Sequence, residues 1–213
     1  MGAGISPAQA LEQLLEGNRR WIEERQVHPD RSADRRRELA AGQSPFATVF
    51  TCIDSRVSPE IVFDCGVGDL AVVRTAGHVL DRGPVLGSLQ FCAEQLRTPL
   101  VLVMGHERCG AVAAAIDGIE SGPGQGEKGG LGALVDALRP AYEQASQRNV
   151  DAGTTSGISA VDFPDHMTRV HISLTVQAVA QAAFAEHAIA AGELNVLGAH
   201  YNLETGEVSL LDR

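Results

Sequence analysis

Apolar residues recur along the chain with two distinct periods. From Pro7 to about Arg25, Leu11, Leu14, Leu15 and Trp21 fall at roughly helical spacing among Glu12, Glu16, Arg19 and Arg20. That pattern predicts an amphipathic helix, capped by Ser6 with Pro7 at its first position. A second short helix is predicted from Ser32 to Ala41. Phe46 to Thr51 and Leu70 to Arg74 are short, β-prone apolar runs. Gly83 to Leu96 reads as a helix stopped by Thr98-Pro99. Leu100 to Met104 (LVLVM) is the strongest signal of a buried strand, and an alanine-rich helix from Ala111 to Ile116 follows it. Residues 121–130 (SGPGQGEKGG) have the composition of a flexible loop. Helices are predicted at about 131–148 and 164–191, and a strand at Leu194 to Ala199. A turn at Glu204-Thr205-Gly206 leads into a last strand, Glu207 to Leu211, as a hairpin.

Short apolar strands alternating with helices predict an α/β fold. Its central sheet is mostly parallel, with about four strands plus a C-terminal antiparallel one, and helices cover both faces. The whole chain, 1–213, reads as one domain, with residues 1–41 as an N-terminal helical arm. The stripe Leu11, Leu14, Leu15 and Trp21 has no obvious partner in its own chain, so it is expected to pack on a second subunit.

Composition narrows the function. Hydrophobic residues make up 44% and charged residues 21%, which is enough to build a packed core. The 17 basic and 27 acidic residues leave a net charge of −10. Nucleic acid is therefore not an expected partner, because phosphate contacts need clustered Lys and Arg. Arg31 and Arg35 to Arg37 do cluster, but among acids, as on a solvated helix face. No segment approaches the ~20 apolar residues of a membrane span, and the N-terminus lacks the layout of a secretory signal. A cytoplasmic location is expected. There Cys52, Cys65, Cys92 and Cys109 serve as ligands, nucleophiles or core residues rather than disulfides. Neither a G-x-G-x-x-G turn nor a Walker loop is present, which argues against a nucleotide enzyme.

Candidate chemistry sits at two strand ends. One carries Cys52-Ile53-Asp54-Ser55-Arg56 and the other His106-Glu107-Arg108-Cys109. In parallel α/β folds, ligands bind beyond the C-terminal ends of the strands. In an extended chain alternate side chains share a face, so Cys52, Asp54 and Arg56 point the same way. If the two strands are neighbours, about 5 Å apart, His106 and Cys109 come within reach of Cys52. Two thiolates and one imidazole leave a fourth position free, the arrangement of a catalytic rather than a structural zinc. Cys65 and Cys92 are expected in the core. A cysteine-nucleophile or redox enzyme would need a C-x-x-C pair or an activating base; the chain has no C-x-x-C.

The motifs CIDSRV (52–57), VVRTAGH (72–78), GHERCGA (105–111) and VLGAHYNLETGEV (196–208) together resemble the β-class carbonic anhydrases. LLEGNRRW and the GQSP segment (42–45) are also similar, so the likeness spans residues 8 to 211. It implies Zn²⁺ held by Cys52, His106 and Cys109, and an Asp54–Arg56 catalytic dyad. Asp54 becomes a fourth ligand in the family's closed state; the open state is expected here. Gln43, Gly110, Ala76 and Phe91 are implied at the substrate. The implied reaction is reversible hydration of carbon dioxide to bicarbonate and a proton by a hydroxide on zinc. The implied assembly is a homodimer or tetramer with the site at the dimer interface. Other readings are a zinc hydrolase of carbonyl sulfide or carbon disulfide, or a non-catalytic bicarbonate-binding protein. The resemblance also places Val49 where one branch has the tryptophan of a non-catalytic bicarbonate site, with Arg74 and Tyr201 matching its other two residues; that site is expected to be absent. Histidine ordinarily titrates near working pH, so His78 is a candidate for moving protons, although a strand-end histidine is usually structural. His171, His187 and His200 are expected at the surface or in packing.

Overall fold

A reciprocal capping box starts the first helix in the computed structural model, which describes residues 4–122, 129–151 and 161–211. The Ser6 side chain accepts from the Gln9 amide, and the Gln9 side chain accepts from the Ser6 amide. Helix α1 then runs Pro7–Ile22 and α2 Ala33–Leu39, the latter capped by Ser32. Strand β1 (Ala47–Cys52) leads to a one-turn helix, α3 (Pro59–Val62), and to β2 (Leu70–Thr75). A 3₁₀ turn (Ala76–His78) precedes α4 (Pro84–Glu94) and β3 (Leu100–His106). Then come α5 (Gly110–Glu120), α6 (Gly130–Asp151), α7 (Phe163–Ala180), α8 (Ala183–Ala190), β4 (Asn195–Tyr201) and β5 (Val208–Leu210). Residues 123–128 of the expected loop at 121–130 lie outside the described residues.

The strand order is β2-β1-β3-β4-β5. The first four strands are parallel, and β5 is antiparallel to β4, as the alternation of elements predicts. β1 and β3 occupy the middle and are buried along their whole length, so both of their faces are apolar. On one face Val49, Leu102 and Met104 pack with Leu14 of α1 and Val62 of α3. On the other, Phe50, Val101, Val103 and Val196 pack with Leu89 of α4, Ile172 of α7 and Ala185 of α8. A third cluster, Val112, Leu138, Ala141 and Met167, closes around Cys52 and Cys109 at the C-terminal end of the sheet.

Two expectations need correction. Helix α1 packs first on its own chain: Leu14 of the stripe, with Ala10 beside it, is completely buried against the chain's own sheet, while Leu11, Leu15 and Trp21 are half-buried. Gly17 lets that happen, because a Cβ there would stand 1.8 Å from the Phe63 carbonyl oxygen. The helix expected over 164–191 is two helices. Its sequence has no glycine or proline at the break, but Ala182 turns extended and α8 folds back onto α4, burying Ala185; packing overrides helix propensity. Helix α3 and the 3₁₀ turn, one turn each, are too short to leave a periodic signal in the sequence. Among the described residues, no helix is long and apolar enough to cross a membrane.

Candidate active site

The strand order decides the site. β1 and β3 are direct neighbours, with Thr51 opposite Met104, so Cys52 and His106 finish side by side. The chain leaves β3, and Cys109 becomes the N-cap of α5. One ligand atom from each of Cys52, His106 and Cys109 lies within 4.8 Å of the others, and all three residues are buried. The two sulfurs are 3.9 Å apart. Two Zn–S bonds of about 2.3 Å at a tetrahedral angle would set them about 3.8 Å apart.

The imidazole is prepared for a metal as well. His106 Nδ1 lies 2.8 Å from the Glu107 carbonyl oxygen, which only an N–H can satisfy, so the proton sits on Nδ1. Nε2 is then a lone pair, buried and without a hydrogen-bond partner. A buried acceptor facing two thiols is what a cation site requires. Without a metal the thiols share a proton: the hydrogen bond between them draws Cys52 down and pushes Cys109 up, with burial adding to the rise at Cys109. The Gly77 amide also donates to Cys52 Sγ, at 3.3 Å.

Asp54 and Arg56 form the expected dyad, but by a different route. The chain turns after Cys52, and the Val57 amide donates to the Asp54 carbonyl at 3.0 Å. Within that turn the Arg56 amide donates to Asp54 Oδ1 at 3.0 Å. Arg56 Nε donates to Oδ1 at 2.9 Å and Nη2 to Oδ2 at 2.7 Å, a bidentate fork. Strand alternation plays no part. The fork holds the Asp54 carboxyl down at about 2. Asp54 Oδ2 stands 3.8 Å from His106 Nε2, over the cluster.

Several supporting residues were not singled out for this role from the sequence. Arg74 donates from Nε to the Cys52 carbonyl at 2.8 Å and from Nη2 to the Asp54 carbonyl at 2.7 Å, pinning the turn that carries the dyad. Tyr201, the other match to the branch-specific bicarbonate site, accepts the Trp21 indole N–H at 3.3 Å. Arg108 takes a left-handed φ of 52° between His106 and Cys109. Its guanidinium bonds Glu107 and Glu204, and its carbonyl accepts from Arg56 at 3.2 Å.

Ala76 and Gly110 adjoin the cluster, one beside Gly77 and the other directly after Cys109. Gln43 and Phe91 do not reach it. Gln43 precedes β1, whereas Cys52 ends it, and at about 3.3 Å per residue the strand alone separates them by about 16 Å. Phe91 lies in the last turn of α4, which leads back toward the start of β3, and it is 54% exposed. His78 is 1% exposed, and burial pushes its pKa well below the ordinary value, so it cannot exchange protons with solvent. His171 and His200 are buried, not at the surface, and His200 lies 2.7 Å from Asp165 and 3.0 Å from Arg169. Cys65 and Cys92 are core thiols, as expected; burial pushes Cys65 up to about 12.

Residues 47–208 match the carbonic anhydrase family model. The chain belongs to the β-class carbonic anhydrases. It is a zinc enzyme that interconverts carbon dioxide and bicarbonate. Carbonic anhydrase 2 of Mycobacterium tuberculosis is 41% identical over 207 residues, covering 97% of this chain and 94% of the relative. The Coccomyxa β-carbonic anhydrase, solved in complex with acetazolamide, superposes with a TM-score of 0.73 at 26% identity, covering 95% and 86% of the two chains. One of two tetrameric β-carbonic anhydrases from Sordaria macrospora has the same fold, with a TM-score of 0.72 at 19% identity over 96% and 98% of the chains.

Proposed function

We propose that Cys52, His106 and Cys109 hold the catalytic zinc and that Asp54 and Arg56 orient the reaction over it. The carrying observation is the buried, partnerless His106 Nε2 facing two sulfurs 3.9 Å apart. When bound, zinc supplies a Lewis acid that lowers the pKa of water toward neutrality. Asp54, kept ionised by the Arg56 fork, is an acceptor with a fixed direction at the open side of the ligand set. It orients the O–H of the reacting water toward itself and leaves a lone pair for the substrate carbon. Both Asp54 oxygens are engaged by Arg56, which supports the open state over one in which Asp54 is a ligand. Ala76 and Gly110 border the substrate. A preparation with one zinc per chain that hydrates carbon dioxide in stopped-flow assays, far faster than it hydrolyses carbonyl sulfide, is the expected result. Fast hydration by metal-free protein would overturn the assignment.

Gln43 is too far from its own Cys52 to meet a substrate there, so its role requires a second copy. We infer a homodimer in which Gln43 and Phe91 of one chain serve the zinc site of the other; the exposure of Phe91 supports this, as does the tetrameric state of the Sordaria relative. Co-expressed Cys109→Ser and Gln43→Ala chains should then form mixed dimers more active than either variant alone, because one intact metal set meets one intact Gln43. Activity equal to the mean of the two parents would rule the shared site out. Four unpaired thiols support a reducing, cytoplasmic setting.

A further inference from the structure

The end of β2 lies beside the end of β1, where Thr75 is the register partner of Cys52. The Ile53 amide donates to the Thr75 carbonyl at 3.1 Å, so the two strands stay paired through the cysteine. After Thr75 the chain turns sharply. Gly77 and His78 have φ of 60° and 44°. Left-handed backbone is uncommon for a residue with a side chain and persists only where its surroundings enforce it. Two hydrogen bonds close the turn. The Val79 amide donates to the Ala76 carbonyl at 3.3 Å, and Thr75 Oγ1 donates to the Val79 carbonyl at 2.9 Å. The hydroxyl bond is the shorter, and it spans the turn from end to end.

A threonine that opens a helical turn ordinarily accepts from a backbone N–H two or three residues on. Thr75 accepts none. Its hydroxyl is spent on the far end of the turn, and the Gly77 N–H, two residues on, donates to Cys52 Sγ at 3.3 Å instead. The turn is also seated tightly. A Cβ at Gly77 would stand 3.1 Å from that of Ala111, in the first turn of α5, the helix that Cys109 caps. It therefore lies against both segments that carry the thiols.

We propose that Thr75 is a positioning residue: by tying the 75–79 turn shut, its hydroxyl holds the Gly77 N–H on the Cys52 sulfur and so fixes that ligand for zinc. This rests on the reading of Cys52 as a zinc ligand. An N–H···S bond drains charge from a thiolate and restricts its direction, and such outer partners tune metal affinity. Without the hydroxyl, the left-handed turn keeps only its longer closing bond, and the Val79 carbonyl loses its donor.

Three variants test this. Thr75→Val keeps the shape of the side chain and removes the donor. Thr75→Ser restores the hydroxyl without the methyl, and Thr75→Ala removes both. Zinc affinity is read by competition with a chromogenic chelator, and the sulfur-to-metal charge-transfer band is read after cobalt(II) substitution. Circular dichroism checks the fold. Thr75→Val and Thr75→Ala should bind zinc about 10-fold more weakly and shift the cobalt band, while Thr75→Ser recovers most of the affinity and the wild-type band. A purely structural hydroxyl would lower the melting temperature of the Val variant but leave the cobalt band in place. Wild-type affinity with an unshifted band in a folded Val variant would therefore overturn the proposal, and so would a Ser variant no better than Ala. If the Val variant does not fold, the Ser and Ala pair decides. A wild-type protein that retains no zinc would instead overturn the metal assignment itself, and this proposal with it.

Discussion

Replacing Cys109 by serine should give a folded protein that retains no zinc and hydrates carbon dioxide at the background rate. The loss follows from the ligand set. With only three protein ligands, removing one thiolate leaves an imidazole and a single sulfur, and a neutral hydroxyl is a poor substitute for the soft, charged ligand. The fold should survive, because Cys109 is the N-cap of α5 and serine is among the best residues at that position. Metal analysis after gel filtration, with far-ultraviolet circular dichroism on the same sample, separates the two effects. A Cys109→Ser protein that keeps stoichiometric zinc and full activity would refute the assignment of the cluster. An unfolded variant would show only that the side chain also serves packing, and Cys52→Ser would then carry the test from the strand side.

Asp54→Asn should lower kcat/KM by about 10²–10⁴-fold while zinc stays bound. The asparagine keeps the size of the side chain but turns one acceptor into a donor, so it can neither accept the Arg56 fork on both atoms nor offer a charged acceptor over the cluster. Arg56→Lys should cost less, because lysine loses the planar fork but keeps a positive charge beside Asp54. The pH dependence carries a sign. The Asp54 pKa is held down, at about 2, so its pairing with Arg56 is fully present above the ordinary carboxylate pKa of about 4. It is lost only as pH falls through about 2. The dyad therefore has the same charge throughout the neutral range, and any rise of rate between about pH 6 and 9 originates in another group. Stopped-flow profiles should show the Asp54→Asn curve displaced downward with its inflection unmoved. Loss of zinc in that variant would mean that Asp54 is itself a ligand.

Much of this could be read directly from the chain. The buried runs FATVFT and LVLVM, the capping Ser6 and the breaks at Gly and Pro are local signals, because period, capping and turn chemistry act within a few residues. They place β1, β3 and α1 close to where they are found. The ligand types were equally legible: thiols and an imidazole directly after apolar strands are out of place unless they bind something. The misreadings arose where packing between distant segments prevailed. The unbroken helical pattern of 164–191 folds as two helices because α8 gains a surface on α4. Leu14 of the α1 stripe is buried within its own chain because Gly17 admits the Phe63 carbonyl.

What sequence alone determined, then, was the inventory: a mostly parallel sheet, two thiols and an imidazole at strand ends, an acid–guanidinium pair two residues apart, and a charge unsuited to nucleic acid. Tertiary structure decided the adjacency. Hydrophobic period carries no information about strand order, so only the β2-β1-β3-β4 arrangement brings Cys52 beside His106. Backbone hydrogen bonding, not side-chain alternation, folds Arg56 back onto Asp54. The length of β1 separates Gln43 from the Cys52 end of its own strand. The close seating of α7 on the sheet, over Gly105 and Gly198, puts His171 against His78. Each of these is a contact between segments far apart in sequence, and no local pattern encodes which distant surface a buried face will meet.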